Sequence, residues 1–433
     1  NRSAFREALA SPARAGERAV VFMDLHGFQR INNSLGHATG DRVIAEVAVR
    51  LERLRGEGCH LARIGGDEFV FVLTGPDAER RAAWMAGAVE RALRPPREVM
   101  GHRLRMGGAI GWAAQGDGGV TGEVLVHRAD LAMAEAKRRH RAAGGAEARG
   151  PHRAEDATGV VAWDALIERA DRDARAIEAA LREALARPGQ IRVAYQPIVE
   201  VGSGRMVRAE ALARWTSPTL GVVPPDRFVA VAEGSGLVTE LGRRILDLVC
   251  DDLAAWPGLS VAINVSPREL VAPSFVPELV GALARRGIDP ARLEVELTEQ
   301  VVVDDPALAA RCLRELHAAG VSIALDDFGT GFSSIGTLRC MEFDVVKIDR
   351  SFVSGFPAAP ARLALLSAMI QAAHALDLRV VCEGIETAEE MGLLTGLGCD
   401  LAQGWHLDRP MPIEALATRW LAPAALPARA EVA

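Results

Sequence analysis

The stretch Ile323-Ala-Leu-Asp-Asp-Phe-Gly-Thr-Gly-Phe-Ser-Ser334 carries three apolar residues straight into two adjacent acids, then into a loop with glycines at 329 and 331. An apolar run closed by turn residues reads as a fully buried strand. Two carboxylates then sit side by side at its C-terminal end, with no basic residue near them in sequence. Asp326 and Asp327 repel each other unless a cation lies between them or one keeps its proton. A divalent metal pair meets that condition. So does a capped turn in which both acids accept backbone N–H groups.

Working outward, other strand-like runs end in the same way. Met206-Val-Arg-Ala precedes Glu210, Val261-Ala-Ile precedes Asn264, and Leu293-Glu-Val precedes Glu296. Val345-Val leads to Lys347, and Arg379-Val-Val-Cys to Glu383. Alanine- and leucine-rich stretches with helical spacing lie between them. Strand–helix units with polar residues at the strand ends describe a (β/α) barrel whose active site is at the C-terminal mouth. Any one of these acids could be a surface residue. Five converging acids with an Asn and a Lys are a site.

With 433 residues the chain has room for two or three domains. It is 49% hydrophobic and 25% charged, which excludes a disordered chain. A net charge of −7 argues against a general nucleic-acid binder. No apolar run reaches transmembrane length and no secretory leader is visible, so a cytoplasmic location is expected, with a membrane tether upstream left open. The six cysteines are scattered without a CxxC pair and read as reduced core residues. The chain opens at Asn1 without a Met, and the expectation is a piece of something longer.

The first half has its own acidic signature. Ala19-Val-Val-Phe-Met-Asp24 reads as a buried strand ending in an acid. A polar helix start at Phe28 follows, and Gly40-Asp41 is expected to open a long helix to about Leu54. Leu61-Ala-Arg-Ile, Gly65-Gly-Asp-Glu68 and Phe69-Val-Phe-Val-Leu read as strand, tight turn and returning strand. Asp24, Asp67 and Glu68 together suit Mg²⁺ carrying a nucleotide triphosphate.

On these residues, 1 to about 145 resemble a GGDEF domain, the diguanylate cyclase family that condenses two GTP into cyclic di-GMP; the signature is unaltered as Gly65-Gly66-Asp67-Glu68-Phe69. The resemblance implies that Asp24, the Leu25 carbonyl and Asp67 hold the metal and that Glu68 activates the ribose 3′-hydroxyl. It also implies that Asn32 and Asp41 read the guanine edge, that Gly66 lies against the substrate, and that Lys137 and Arg141 grip the terminal phosphates. Without the resemblance, the basic run around Lys137 would read as a solvated helix end. His26 stands where a second Asp is usual, Gln29 replaces a phosphate-binding Lys, and Asn33 replaces an Asp. Gly56 and Cys59 occupy the places of the Arg-x-x-Asp product-inhibition motif, so feedback inhibition there is not expected.

A Gly-, Ala-, Arg- and Pro-rich stretch from Gly144 to about Val160 reads as a connector, followed by a helix from Trp163 to Ala186. From about Arg175 onward the chain resembles an EAL domain, the cyclic di-GMP phosphodiesterase family. The motifs are Tyr195-Gln-Pro-Ile-Val, Glu210-Ala-Leu-Ala-Arg-Trp, Ile263-Asn-Val-Ser, Glu296-Leu-Thr-Glu, Asp326-Asp-Phe-Gly-Thr-Gly, Val346-Lys-Ile-Asp, Glu383-Gly-Ile-Glu and Gln403-Gly-Trp. Asp327-Phe-Gly also matches a kinase tripeptide, but no glycine-rich nucleotide loop or His-Arg-Asp segment accompanies it.

This resemblance implies two Mg²⁺ or Mn²⁺ ions. Glu210, Asn264, Glu296 and Asp326 would ligate one, and Asp326, Asp327 and Glu383 the other. Lys347, its pKa expected to fall beside two cations, would orient or deprotonate water. Gln403 would position that water, Gln196 and Arg214 would contact substrate, and Glu299 and Glu386 would brace the loop after Asp327. The expected architecture is α/β in two domains. An α/β GGDEF domain with a central, mainly antiparallel sheet spans 1–145, and a linker and connecting helix 146–174. A TIM-like (β/α)8 EAL barrel spans 175–425, with a tail at 426–433. The implied partners are cyclic di-GMP, GTP, the product pGpG, a second copy in a homodimer (which a cyclase requires) and an upstream sensory region. The alternative is a catalytically silent cyclic di-GMP and GTP receptor that signals through a protein partner.

Overall fold

The computed structural model describes residues 2–10, 17–104, 106–116, 120–142, 159–298, 306–329, 341–354 and 360–421. The chain divides into two compact units, Asn1–Asp173 and Ala174–Ala433.

In the first unit, strand β1 (Arg18–Leu25) is buried along nearly its whole length. Its unbroken apolar run is what a strand covered on both faces requires. It lies antiparallel to β3 (Glu68–Thr74) and to β6 (Gly108–Ala114), and β2 (Cys59–Arg63) forms the hairpin partner of β3. A separate short hairpin joins β4 (Arg97–Val99) to β5 (His102–Leu104). Helix α1 (Arg2–Ala10) and the long α5 (Gly122–Ala142) cover one face of the sheet, where Ala8, Leu125, Ala129 and Met133 meet Val20, Phe22, Val70 and Val72. After the short α2 (Phe28–Leu35), helices α3 (His37–Glu52) and α4 (Ala78–Leu93) cover the other, with Val43, Val47, Met85 and Val89 against Val21, Met23, Phe69 and Phe71. The alternation of β1 side chains between two cores follows from the period of two in a strand.

Two details differ from the sequence reading. Helix α3 begins at His37, after Gly36 at φ 83°, and not at Gly40. Gly40 lies inside the helix because any side chain there would overlap the Asn32 carboxamide. Within the stretch read as linker, Val160–Ala162 forms β7, parallel to β6 at the edge of the five-stranded sheet. Three residues are too few to show a period beside a Gly- and Arg-rich run. The Arg128 guanidinium lies 3.9 Å over the Trp163 ring just after this strand.

Helix α6 (Ala165–Ala186) leads into the second unit, where Ile177, Leu181 and Ala184 join Trp215, Phe228 and Leu241 in one cluster. Eight strands then close a barrel: β8 (Ile191–Glu200), β9 (Met206–Ser217), β11 (Val261–Asn264), β12 (Leu293–Thr298), β13 (Ser322–Phe328), β14 (Val345–Ile348), β15 (Arg379–Cys382) and β16 (Leu401–Ala402). A short β10 (Gly221–Val223) pairs outside β9. Neighbours from β9 to β16 are parallel, whereas β8 is antiparallel to both β9 and β16. The fold is therefore the expected TIM-like barrel with one reversed strand. Outward-facing Val295, Leu297, Ile323 and Leu325 pack with helix residues such as Leu279, Leu316 and Leu366. Inside, Ile198, Ala324, Val345, Val381 and Leu401 form a thin apolar layer. The five described cysteines are buried and free. No described helix is long and apolar enough to cross a membrane.

Candidate active site

The barrel strands present their inward side chains with a period of two, and one inward position after another is polar. Glu210, Asn264, Glu296, Asp326 and Lys347 lie on β9, β11, β12, β13 and β14 respectively. Glu383 follows β15 directly, and Gln403 follows β16. Register keeps them together. Glu210 pairs across the sheet with Ala262, two residues before Asn264, and Asn264 pairs with Glu296. Glu210 differs from the sequence reading in lying inside a twelve-residue strand, because β9 continues past the site to pair with β10 and with reversed β8.

Lys347, only 1% exposed, is the hub. Its Nζ lies 2.7 Å from Glu383 Oε1, 2.9 Å from Glu296 Oε2, 3.6 Å from Glu210 Oε2 and 3.7 Å from Asp326 Oδ1. Burial by itself would lower its pKa, but the surrounding carboxylates outweigh burial and hold it well above the ordinary lysine value. In this setting the direction is opposite to the fall expected beside two cations. Burial pushes Glu296 well above the carboxylate range and Glu383 up to about 7, with Lys347 pulling both down. Glu210 is lowered: burial opposes that, but Lys347, Gln403 and Asn264 together prevail.

Amides orient the acids. Asn264 Nδ2 donates to Glu210 Oε1 at 2.7 Å, and Gln403 Nε2 donates to Glu210 Oε2 at 2.6 Å and to Gln196 Oε1 at 3.2 Å. Gln196 Nε2 donates to the Asp408 carbonyl at 3.1 Å. Arg214 is half-buried; burial lowers its pKa and Glu210 pulls it back up, so the two feel each other. Gly404 lets the chain turn flush on Ile385, since a side chain there would overlap that residue's backbone.

Asp327 has left-handed backbone, φ 57°, with its N–H on Asp326 Oδ1 at 2.9 Å. The strand register shifts between Leu325 and Phe328. Asp326 thus meets the hub and Asp327 turns away from strand geometry. Glu299, and the loop from 330 to 340 that it was expected to brace, lie outside the described residues. Glu386 is exposed, and its backbone N–H donates to Glu390 Oε2.

Sequence reading missed a second polar layer. Arg208 pairs with Glu294, which also accepts from Ser322 Oγ at 2.8 Å. Arg208 and Glu294 stand two residues before Glu210 and Glu296, so the signal was polar residues repeating at a spacing of two within otherwise apolar strands.

Donor chemistry suits a hard divalent cation: carboxylate and amide oxygens, no sulfur and no imidazole. Glu296 Oε1 and Gln403 Oε1 are buried with no hydrogen-bond partner. Among the described residues, however, no group of three acids is arranged so as to hold a metal ion. The Lys347 ammonium occupies their midst, and a metal has to draw carboxylates away from it.

In the first unit, Asp24 and Glu68 face each other across β1 and β3. Leu25 N–H donates to the Asp67 carbonyl at 3.3 Å, tying the hairpin turn to the end of β1. Lys137 Nζ lies 2.7 Å from Asp24 Oδ2. Burial, then Asp24, raise the Glu68 pKa, and Lys137 lowers it. A Cβ on Gly66 would meet nothing within 4 Å, so that side of the turn is open. Asn32 Oδ1 is buried without a hydrogen-bond partner, as an acceptor for a ligand N–H would be. Asp41 is exposed in the first turns of α3. Arg141 belongs to the last turn of α5, and its side chain is outside the described residues. The rings of His26 and His140 stack at 3.9 Å.

Residues 1–143 match the diguanylate cyclase GGDEF domain and residues 178–410 the EAL domain. The chain belongs to the GGDEF–EAL family of cyclic di-GMP signalling proteins. It is 33% identical over 403 residues to the bifunctional diguanylate cyclase/cyclic di-GMP phosphodiesterase MucR of Pseudomonas aeruginosa, covering 92% of this chain and 56% of that protein. It is 34% identical over 426 residues to the cyclic di-GMP phosphodiesterase NbdA of the same organism, covering 96% and 52%. The chain thus spans about half the length of these curated relatives. Among solved structures, the MucR phosphodiesterase in complex with cyclic di-GMP matches 56% of this GGDEF–EAL chain and 99% of its own, at 35% identity and TM-score 0.53. The cAMP-bound EAL enzyme Bd1971, 22% identical with TM-score 0.55, covers 94% of this chain and 96% of its own and bears on the fold alone.

Proposed function

We propose that the barrel hydrolyses cyclic di-GMP to linear pGpG, and that the first domain binds GTP and condenses two molecules of it into cyclic di-GMP. The observation that carries the hydrolase reading is the unbroken polar set Glu210, Asn264, Glu296, Asp326, Lys347, Glu383 and Gln403 at one end of the barrel. A silent receptor would have no use for that set.

Glu210, Asn264, Glu296 and Asp326 would hold one Mg²⁺ or Mn²⁺, and Asp326, Asp327 and Glu383 a second. When bound, such ions supply Lewis acidity and lower the pKa of water. The chain's own residues do the rest. Gln403 and Asn264 hold the Glu210 carboxylate by both oxygens and so fix its plane. Lys347 holds Glu296 and Glu383 in reach of one point and, as an ammonium, would orient the attacking water by donating to it. Gln196 and Arg214 line the side from which a phosphodiester or base is gripped. In the first domain, Asp24 and Asp67, with the Leu25 carbonyl, would hold Mg²⁺ with GTP, and Glu68, its pKa raised, accepts the ribose 3′-proton. Two such domains must face each other for condensation, so cyclase activity requires a homodimer.

A second reading of the first domain, as a GTP-binding regulator of the barrel, draws on Gln29 and His26 and on Lys137 being held by Asp24. Chromatographic product analysis with Mg²⁺ or Mn²⁺ separates the readings. Prompt pGpG from cyclic di-GMP, with cyclic di-GMP or pGpG from GTP alone, is the expected result. GTP-stimulated pGpG with no product from GTP alone makes the first domain a regulator. Tight cyclic di-GMP binding without turnover makes the protein a receptor. Asp326→Ala should abolish hydrolysis and Glu68→Ala should abolish only the cyclase; unchanged turnover in either variant overturns that assignment.

A further inference from the structure

We infer that His26 and His140 are a positioning pair for the nucleotide triphosphate in the first domain, holding the last turn of α5 so that Lys137 stays over the acidic end of β1. The inference rests on the GTP-binding reading of that domain.

Asp24 lies on β1 and His26 is the first residue after that strand, while Lys137 and His140 are three apart on α5 and share a face of the helix. Past the apolar core, the elements are joined by the Lys137–Asp24 ion pair at 2.7 Å and by the imidazole stack, with centroids 3.9 Å apart and planes 25° apart. His26 is itself pinned, its backbone N–H donating to the Gly107 carbonyl at 2.9 Å.

Elsewhere along α5 the sheet needs no such help. Leu125, Ala129, Ala132, Met133 and Ala136 bury the helix body against β1 and β6. Gly111 allows that close approach, since a side chain there would overlap the Met133 backbone. Ala136 is the last helix residue in that core. Beyond it the sequence runs Lys-Arg-Arg-His-Arg, and among the described residues Arg138 and Arg139 pair within the helix, with Glu135. A polar helix end of that composition frays unless something outside the helix holds it.

The ion pair cannot serve throughout the binding cycle. Lys137 has to let go of Asp24 when it turns to the phosphates, whereas the stack need not open. The stack makes no use of the Asp24 carboxylate, so Lys137 can leave that acid without breaking it.

The test uses the full chain and a non-hydrolysable GTP analogue with Mg²⁺, with binding measured by calorimetry. Loss of the stack in His140→Ala should weaken the analogue about five-fold, and His140→Phe should restore it to within about two-fold. Arg139→Ala, which loses only a contact within the helix, should bind as the parent does. Hydrogen exchange of amides 138–142 should quicken in His140→Ala and recover in His140→Phe, while the rest of α5 keeps its protection and shows that the domain is folded. Unchanged affinity in His140→Ala overturns the inference and leaves GTP binding standing. A phenylalanine that fails to rescue also overturns it, because the role would then belong to the imidazole and not to the stack. No binding by the parent protein overturns the GTP reading itself, and the inference with it.

Discussion

In the barrel, the cation among the acids is Lys347, carried on a strand, 1% exposed and within 3.7 Å of four carboxylates. In the first domain it is Lys137, carried on a helix, with a side chain 29% exposed and the Asp24 carboxylate at 2.7 Å. The barrel lysine is fixed by register: β14 pairs with β13 on one side and β15 on the other, so its neighbours' acids arrive with it. The helical lysine is fixed only as well as the helix end. The difference teaches that one centre is built into the fold, whereas the other is assembled on it, and the two should respond differently to the same substitution.

The largest expected effect comes from Lys347→Met. It leaves buried carboxylates without their counter-charge and should cost about 3–5 kcal/mol in metal-free protein at pH 7, along with hydrolysis. Urea unfolding in the presence of a chelator, read by hydrogen exchange in each unit, measures it.

A buried acid outside both centres calibrates how much of that is burial alone. Burial pushes Glu269 up to about 7, and the Ser266 backbone N–H and hydroxyl pull against it. Its folded value lies above an unfolded value of about 4.3. The stability it confers is therefore complete below about pH 4.3 and is lost as pH rises through 7. Glu269→Gln should remove that decline, about 4 kcal/mol in all. The change should be independent of Mg²⁺ or Mn²⁺; a metal-dependent result would link this acid to the barrel centre.

Gly329 at φ 95° follows the paired acids, and a Cβ there would lie 2.7 Å from Met369 Cε and 3.0 Å from Phe352. Gly329→Ala should cost about 1–3 kcal/mol by the same unfolding measurement. It should also slow the proposed hydrolysis by shifting Asp326, while leaving the proposed GTP binding of the first domain untouched.

Lys137→Met should have the smallest effect on stability, below about 1 kcal/mol, because its ion pair is partly exposed. Equal costs for the two lysines would erase the contrast between the centres.

The barrel was legible in the sequence because each strand is a short apolar run with a polar residue at an inward position, and the two-residue period does not depend on distant contacts. Asp326, Glu296 and Glu383 could be named from that pattern and from the motifs. What could not be read was who neutralises them. Lys347 is twenty residues from Asp327 in the chain, and only the β13–β14 pairing makes it a neighbour. The same limit hid the Arg208–Glu294 layer, whose members lie on strands separated by β11. In the first domain the hairpin and Asp24 were legible from local residues. His140 was not, because a histidine in a basic helix end carries no sign that a second ring lies across from it.

The reversal of β8 has a consequence for how the barrel can be instrumented. Ile191, the first residue of β8, pairs with Trp215 near the C-terminal end of β9, whereas Glu200, its last, pairs with Leu401 at the start of β16. The polypeptide is thus threaded into the barrel from the rim where the carboxylates open, and not from the opposite floor. A fluorophore attached at exposed Arg187 or Gly189 would report from the rim where the carboxylates open, without a label among the carboxylates themselves.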